Sequence, residues 1–152
     1  MWSPLPLTPP ITPMTTSRII YSNTDGSVAV IIPAESVELA AKDVPPGVPY
    51  QIVTTDEVPS DRYFRGAWVM GDCCIEHDLG KCREIGHDKR RVQRAEEFKP
   101  FDEIIANQIP GADALAAEAA RQEIRDKYAE VQVAIDAAAD PDAIKAALEV
   151  TP

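Results

Sequence analysis

Hydrophobic periodicity changes once along this chain, at Asp78. Before it, apolar and β-branched residues come in short runs closed by Pro, Gly, Asn or Asp, the pattern of strands and turns. After it, apolar residues recur every three or four positions among Lys, Arg and Glu, the pattern of amphipathic helices. The expected fold is therefore α+β. A small β-rich N-terminal unit over residues 14–78, a hairpin plus further strands, is followed by two or three α-helices in residues 79–152. Ahead of both, residues 1–13 hold five prolines and no charged side chain. Each proline fixes φ and removes a backbone donor, so this segment is expected to be a flexible tail. A Pro-rich docking peptide is the alternative.

Arg18–Ser22 and Ser27–Ile32 flank Asn23-Thr24-Asp25-Gly26, a turn sequence with Gly26 available for positive φ. The spacing predicts a β-hairpin. Its second arm is apolar at successive positions and is expected to be buried on both sides. Pro33 stops it, and Ser36–Lys42 can form two helical turns with Val37 and Leu39–Ala41 facing inward. Tyr50–Thr54 reads as a third strand, Thr55–Phe64 as loop, and Ala67–Met70 with Cys74–His77 as a second hairpin.

Among the helices, Leu79, Cys82, Ile85 and Val92 share one broad face, with Gly86 a weak spot. This helix is expected to run to about Phe98, where Pro100 kinks it or starts a new helix over Phe101–Asn107. Phe98, Phe101, Ile104 and Ile105 form an apolar cluster there. Ile109-Pro110-Gly111 breaks the chain. Asp113 can cap a long helix to about Ala138, along which Ile124, Tyr128, Val131 and Ile135 make one apolar seam. Asp140-Pro141 opens a short last helix, Asp142–Leu148. An apolar seam must be buried. The expectation is that apolar surface left over on these helices is closed by a partner, giving a possible homo-oligomer or contact with another protein. A helix hairpin folding back at Ile109–Gly111 is the alternative.

Charge narrows the partners. The chain carries 15 Lys and Arg against 25 Asp and Glu, a formal −10. Met14–Asp78 holds −6, Leu79–Ile109 +1 and Pro110–Pro152 −5. Nucleic acid is bound through clustered cations, which neither acidic segment supplies, so no nucleic-acid partner is expected. No apolar run reaches the roughly 18–20 residues of a transmembrane helix, and no membrane partner is expected. Three cysteines, an odd number, fit a reducing compartment better than a disulfide framework.

Cys73, Cys74, His77, Cys82 and His87 are the one cluster with metal-ligand chemistry. Zinc needs four donors in a tetrahedron. No CxxC is present, and Cys82 and His87 lie five helical steps apart, pointing well away from each other. The preferred reading makes Cys82 a small core residue and leaves both histidines solvated. A Cys/His nucleophilic pair would need a presenting turn and an oxyanion donor, which the sequence does not offer. Phosphate-loop motifs are absent. Asp56/Glu57 and Glu96/Glu97 are sequence neighbours that do not share a face. No catalytic, cofactor-binding or metal-binding residue is assigned, and no cofactor is expected. Lys89-Arg90-Arg91 with Arg94 reads as a solvated, salt-bridged face. Tyr63, Phe64 and Trp68, beside Arg62 and Arg65, read as core anchors, with a protein–protein hot spot as the functional alternative.

Several stretches resemble a family of small proteins encoded in tailed phages and prophages, among tail or virion genes. They are Arg18-Ile19-Ile20-Tyr21 and Asp25 through Ala34, then Ala41-Lys42-Asp43-Val44-Pro45 and Gly47 through Val53, then Val58 through Trp68. The helical half, from Asp78–Ile85 to Ala134–Leu148, is similar in style to the ends of some tail-fibre and tail-assembly proteins. The family often begins near where Met14 stands, so Met14 is the expected natural start. Cys73, Cys74 and Cys82 depart from its pattern. The resemblance implies a non-enzymatic bacteriophage structural or tail-assembly protein, in the virion or host cytoplasm, acting through contacts with other phage structural proteins. A zinc-binding regulator and an acidic phage inhibitor of a host protein are the alternatives.

Overall fold

The computed structural model describes residues 16–108 and 114–149. The expected tail at 1–13, the break at Ile109–Gly111 and the Asp113 cap lie outside them. The fold is α+β, small sheets followed by helices. It forms two units. The first runs to Ser60 and includes Val69–Glu76; the second holds Asp61–Trp68 and the chain from His77 onward.

In the first unit, β1 (Ser17–Ser22) lies between β2 (Val28–Ile31) and β3 (Tyr50–Thr54), antiparallel to both. The expected hairpin turn is present. Gly26 sits at φ 80, its N–H donates to the Asn23 carbonyl, and the Asp25 carboxylate accepts from the Ser27 amide. The strand buried on both sides is not β2, however. It is β1, whose adjacent residues Ile19 and Ile20 are both fully buried. β2 is an edge strand, and Ile32 just beyond it is 65% exposed. Apolar content marks strand character but not position in the sheet, which the pairing of β3 on the far side of β1 decides.

Register puts Ile19 opposite both Ile31 and Ile52, and Tyr21 opposite Ala29 and Tyr50. The short helix α1 (Val37–Ala40) and a 3-10 turn at Ala41–Asp43 cover part of this face. Ser36 caps α1 by accepting the Leu39 amide. Ala40 and Val44 are buried with Ile19, and Val37, Ala41 and Ile31 pack around them. Leu39 departs from expectation: four residues make little more than one turn, and it faces solvent. The second hairpin, β4 (Trp68–Met70) and β5 (Ile75–His77), carries the chain between the units.

The second unit is built on α2 (Leu79–Asn107), α3 (Ala114–Ala137) and α4 (Pro141–Glu149). Asp78 caps α2 and Asp140 caps α4, their carboxylates accepting the Lys81 and Ala143 amides. Pro100 neither ends α2 nor starts a new helix. It removes one backbone hydrogen bond, a loss of about 3 kcal/mol in an isolated helix. Phe98 and Phe101, on either side of it, pack against the core and hold the helix together.

The seam of Ile124, Tyr128, Val131 and Ile135 is buried within this unit, together with Ile144 and Leu148 of α4. Asp61–Trp68, which the sequence groups with the strands, packs here too: Phe64 and Ala67 are buried beside Cys82. Each fully buried large apolar side chain contributes roughly 1.5–3 kcal/mol.

The face of α2 that meets this core differs from expectation. Val92 is 63% exposed, whereas Cys82, Gly86 and Arg90 are buried. Gly86 is a contact point. A Cβ there would lie 2.7 Å from Ile144 Cγ2 and 3.5 Å from Ile135 Cγ2. Ile144 is fully buried and its Cγ2 is fixed to a branched Cβ, so it cannot swing aside. Gly86→Ala gains about 1 kcal/mol of helix propensity, but overpacking costs roughly 1–3 kcal/mol. Net destabilisation is expected, measured by urea unfolding, and a double-mutant cycle with Ile144→Ala should be non-additive. A stabilised Gly86→Ala protein would contradict this packing.

Candidate interaction surface

The structure disperses the residues that the sequence grouped around metal chemistry. Cys82 is fully buried in the helical core, where burial raises its thiol pKa. His87 is not solvated: its ring bonds the Asp136 carboxylate at 2.8 Å. His77 is exposed at the end of β5, and only Cys73 and Cys74 stand together. Among the described residues, no group of three or more His, Cys, Asp or Glu side chains is arranged to hold a metal ion.

The basic run also splits. Arg91 pairs with Asp88. Arg94 and two α3 arginines, Arg121 and Arg125, approach the Phe98 ring at 5.4–5.9 Å. Arg90, expected to be solvated, is buried, with its guanidinium 3.4 Å from the Tyr128 carbonyl. A long side chain can bury its stem and charge together where a backbone carbonyl waits for it, and sequence periodicity carries no trace of that. Tyr63, Phe64 and Trp68 are anchors, as expected. Phe64 and Trp68 are buried, and Tyr63 packs edge-on against Phe64 beneath the Lys89 and Lys145 ammonium groups.

Sequence reasoning missed one polar cluster. Glu96 and Glu97 diverge, Glu96 to Lys99 and Glu97 to α3. The Glu97 carboxylate accepts from Lys127 Nζ at 2.8 and 3.0 Å and from the Tyr128 hydroxyl at 2.6 Å. The buried ring of Tyr128 thus has its one polar atom satisfied. A cleft of about 490 Å³ opens beside this cluster, lined by Pro100, Phe101, Ile124 and Lys127. Two of its ionic groups, Glu97 and Lys127, are committed to each other.

An open apolar surface lies in the first unit, while on the helices Val92, Leu115 and Val133 are exposed too. Tyr50 and Ile52, on one face of β3, are 44% and 57% exposed. The outer edge of β3 pairs with no strand among the described residues. Ile32 and Leu39 are exposed as well, and a shallow groove of about 240 Å³ is lined by Ile31, Ile32, Leu39 and Ala40 with Glu35 and Asp43. The acidic groups dominate: residues 16–60 and 69–76 contain two bases, Arg18 and Lys42, against eight carboxylates, a net −6. This arrangement can receive an apolar segment flanked by Lys or Arg, through side-chain contact and through hydrogen bonds to a strand edge. No described helix is long and apolar enough to cross a membrane. Comparison with protein-family models, curated proteins and solved structures finds no match.

The Glu97 cluster sets a pH dependence. Partial burial pushes the carboxyl pKa up, but the bonds from Lys127 and Tyr128 outweigh this and hold it below the ordinary glutamate range. A depressed pKa contributes stability that is present above the unfolded value and lost as pH falls through the folded one. Glu97→Gln is expected to cost about 1 kcal/mol at neutral pH. The gap should narrow as pH falls below the ordinary glutamate value of about 4.3 and close once the lowered folded value is passed. Urea titrations of both proteins across that range check this, and a gap that persists at the acid end would contradict it.

Proposed function

We propose that the chain is a non-enzymatic bacteriophage structural or tail-assembly protein that acts through protein–protein contact. The observation that carries the contact reading is the open apolar face of the first unit, Tyr50 and Ile52 beside a strand edge with no partner strand among the described residues. The phage attribution draws on the sequence resemblance through Arg18–Tyr21, Asp25–Ala34, Gly47–Val53 and Val58–Trp68.

The partner on this reading is another structural protein presenting an apolar, basic segment. A second copy of the chain is a poorer fit here, because the same face on both would bring net −6 against net −6. Self-association through the α3 seam is disfavoured too, since Ile124, Tyr128, Val131 and Ile135 are covered within the chain. Light scattering should accordingly give a monomer mass for the isolated protein at tens of micromolar.

Mass spectrometry of purified virions from the encoding phage tests the attribution, and stoichiometric peptide is the expected result. A chain absent both from virions and from assembly intermediates would overturn it. Tyr50→Ser with Ile52→Asp tests the surface. Both side chains are already substantially exposed, so the variant should fold with stability within about 1 kcal/mol of the parent. It should nevertheless fail to enter particles or intermediates. Normal incorporation would exclude this face as the contact.

A further inference from the structure

Cys73 and Cys74 are adjacent in the turn between β4 and β5. Their sulfurs lie 3.4 Å apart, Cys73 is exposed and Cys74 half-buried. The turn is braced from several sides. The Gly71 amide donates to the Cys74 carbonyl at 2.8 Å. Gln51 Nε2 reaches from β3 to the carbonyls of Gly71 and Asp72 at 3.1 and 3.3 Å. The Glu76 side chain occupies the space where a Cβ on Gly71 would sit, 2.5 Å from Oε1. The two thiols are thus held together at an accessible hairpin tip.

We propose that Cys73–Cys74 is a reversible redox site, a vicinal dithiol oxidised to a ring disulfide by low-molecular-weight disulfides. The exposed Cys73 attacks as thiolate, bonding to one sulfur of the small disulfide and expelling the other as a thiolate, which takes up a proton. Cys74 then loses its proton to solvent and attacks the Cys73 sulfur of the mixed disulfide, expelling the second small thiol. Two protein thiols and one small disulfide become one protein disulfide and two small thiols, with both electrons passing to the oxidant. Proximity favours the second step: the sulfurs need only close from 3.4 Å to about 2.05 Å.

The same adjacency makes the bond easy to reverse. Consecutive Cα atoms are about 3.8 Å apart, below the roughly 4.4–6.8 Å that disulfides ordinarily span. Strained, exposed disulfides are the readily reduced ones. Exposure assigns attack to Cys73, and resolution falls to the half-buried Cys74, whose pKa is raised by its hydrogen bond with Cys73 and by burial. Cys82, buried in the helical core, takes no part.

The test uses the full chain with oxidised glutathione, followed by intact-mass analysis and alkylation under native and denaturing conditions. The expected product has lost two hydrogens, carries no glutathione and has two of its three cysteines protected until a dithiol reductant is added. Cys74→Ser should stop at a glutathione adduct on Cys73. The reduced parent should also bind phenylarsine oxide, which needs two neighbouring thiols, and each single serine variant should lose that binding. A parent that accumulates the mixed disulfide, cross-links between chains or leaves both thiols free to alkylate would overturn the proposal.

Discussion

The second unit depends on one close approach, that of Ile144 and Ile135 to the backbone of α2 at Gly86. Only a residue without a side chain lets the helices come this near, and the nearness buries Tyr128, Ile135, Ile144 and Leu148 almost completely. The polar bonds around it follow from that placement. Tyr128, brought against α2, meets Arg90 at its carbonyl and Glu97 at its hydroxyl, and Arg83 reaches the Ala138 carbonyl just past the end of α3. Each bond satisfies a group that burial would otherwise leave short of a partner, so the polar set supports the apolar contact. The glycine's conformational cost within a helix is thereby offset by packing elsewhere.

This explains which parts of the fold were legible. The α3 seam could be read because all four of its buried residues are apolar at helical spacing. The helix start at Asp140 could be read from its capping carboxylate and the following proline, and the one after Asp78 from the change of hydrophobic period. The complementary face of α2 could not. Its buried positions at successive turns are Cys82, Gly86 and Arg90, one small thiol, one bare backbone and one cation. An amphipathicity argument looks for larger apolar side chains and so favoured Val92, which faces water. Of the two outcomes expected at Pro100, a new helix does not occur: α2 runs on through it, with Phe98 and Phe101 packing on both sides.

The first unit was legible in its elements but not in its order. Turn chemistry at Asn23–Gly26 located the first hairpin, and Tyr50–Thr54 has the bounds expected of it. Nothing local says that Tyr50–Thr54 returns to pair with β1, leaving β2 and β3 as edges. That nonlocal pairing turns Ile19 and Ile20 into the interior and leaves Ile52, as apolar as either, facing outward. The candidate surface is therefore a consequence of topology. The expectation of leftover apolar area on the helices rested on residue types, and Val92, Leu115 and Val133 are indeed exposed there.

The contrast between the units bears on function. In the second unit the apolar seam is covered, and several of its charges have partners in the same unit: Lys127 with Glu97, Lys145 with Asp61, Arg121 with Asp102 and Glu118. In the first, eight carboxylates accompany two bases, and large apolar side chains remain in water beside a strand edge that pairs with no strand among the described residues. An exposed apolar edge invites indiscriminate pairing unless something selects its partner. On the proposed reading the carboxylates supply that selection, because like charge disfavours a second copy and opposite charge favours a basic chain. On the reading proposed above, charge on this unit selects the partner, and Tyr50 and Ile52 offer the area that holds it.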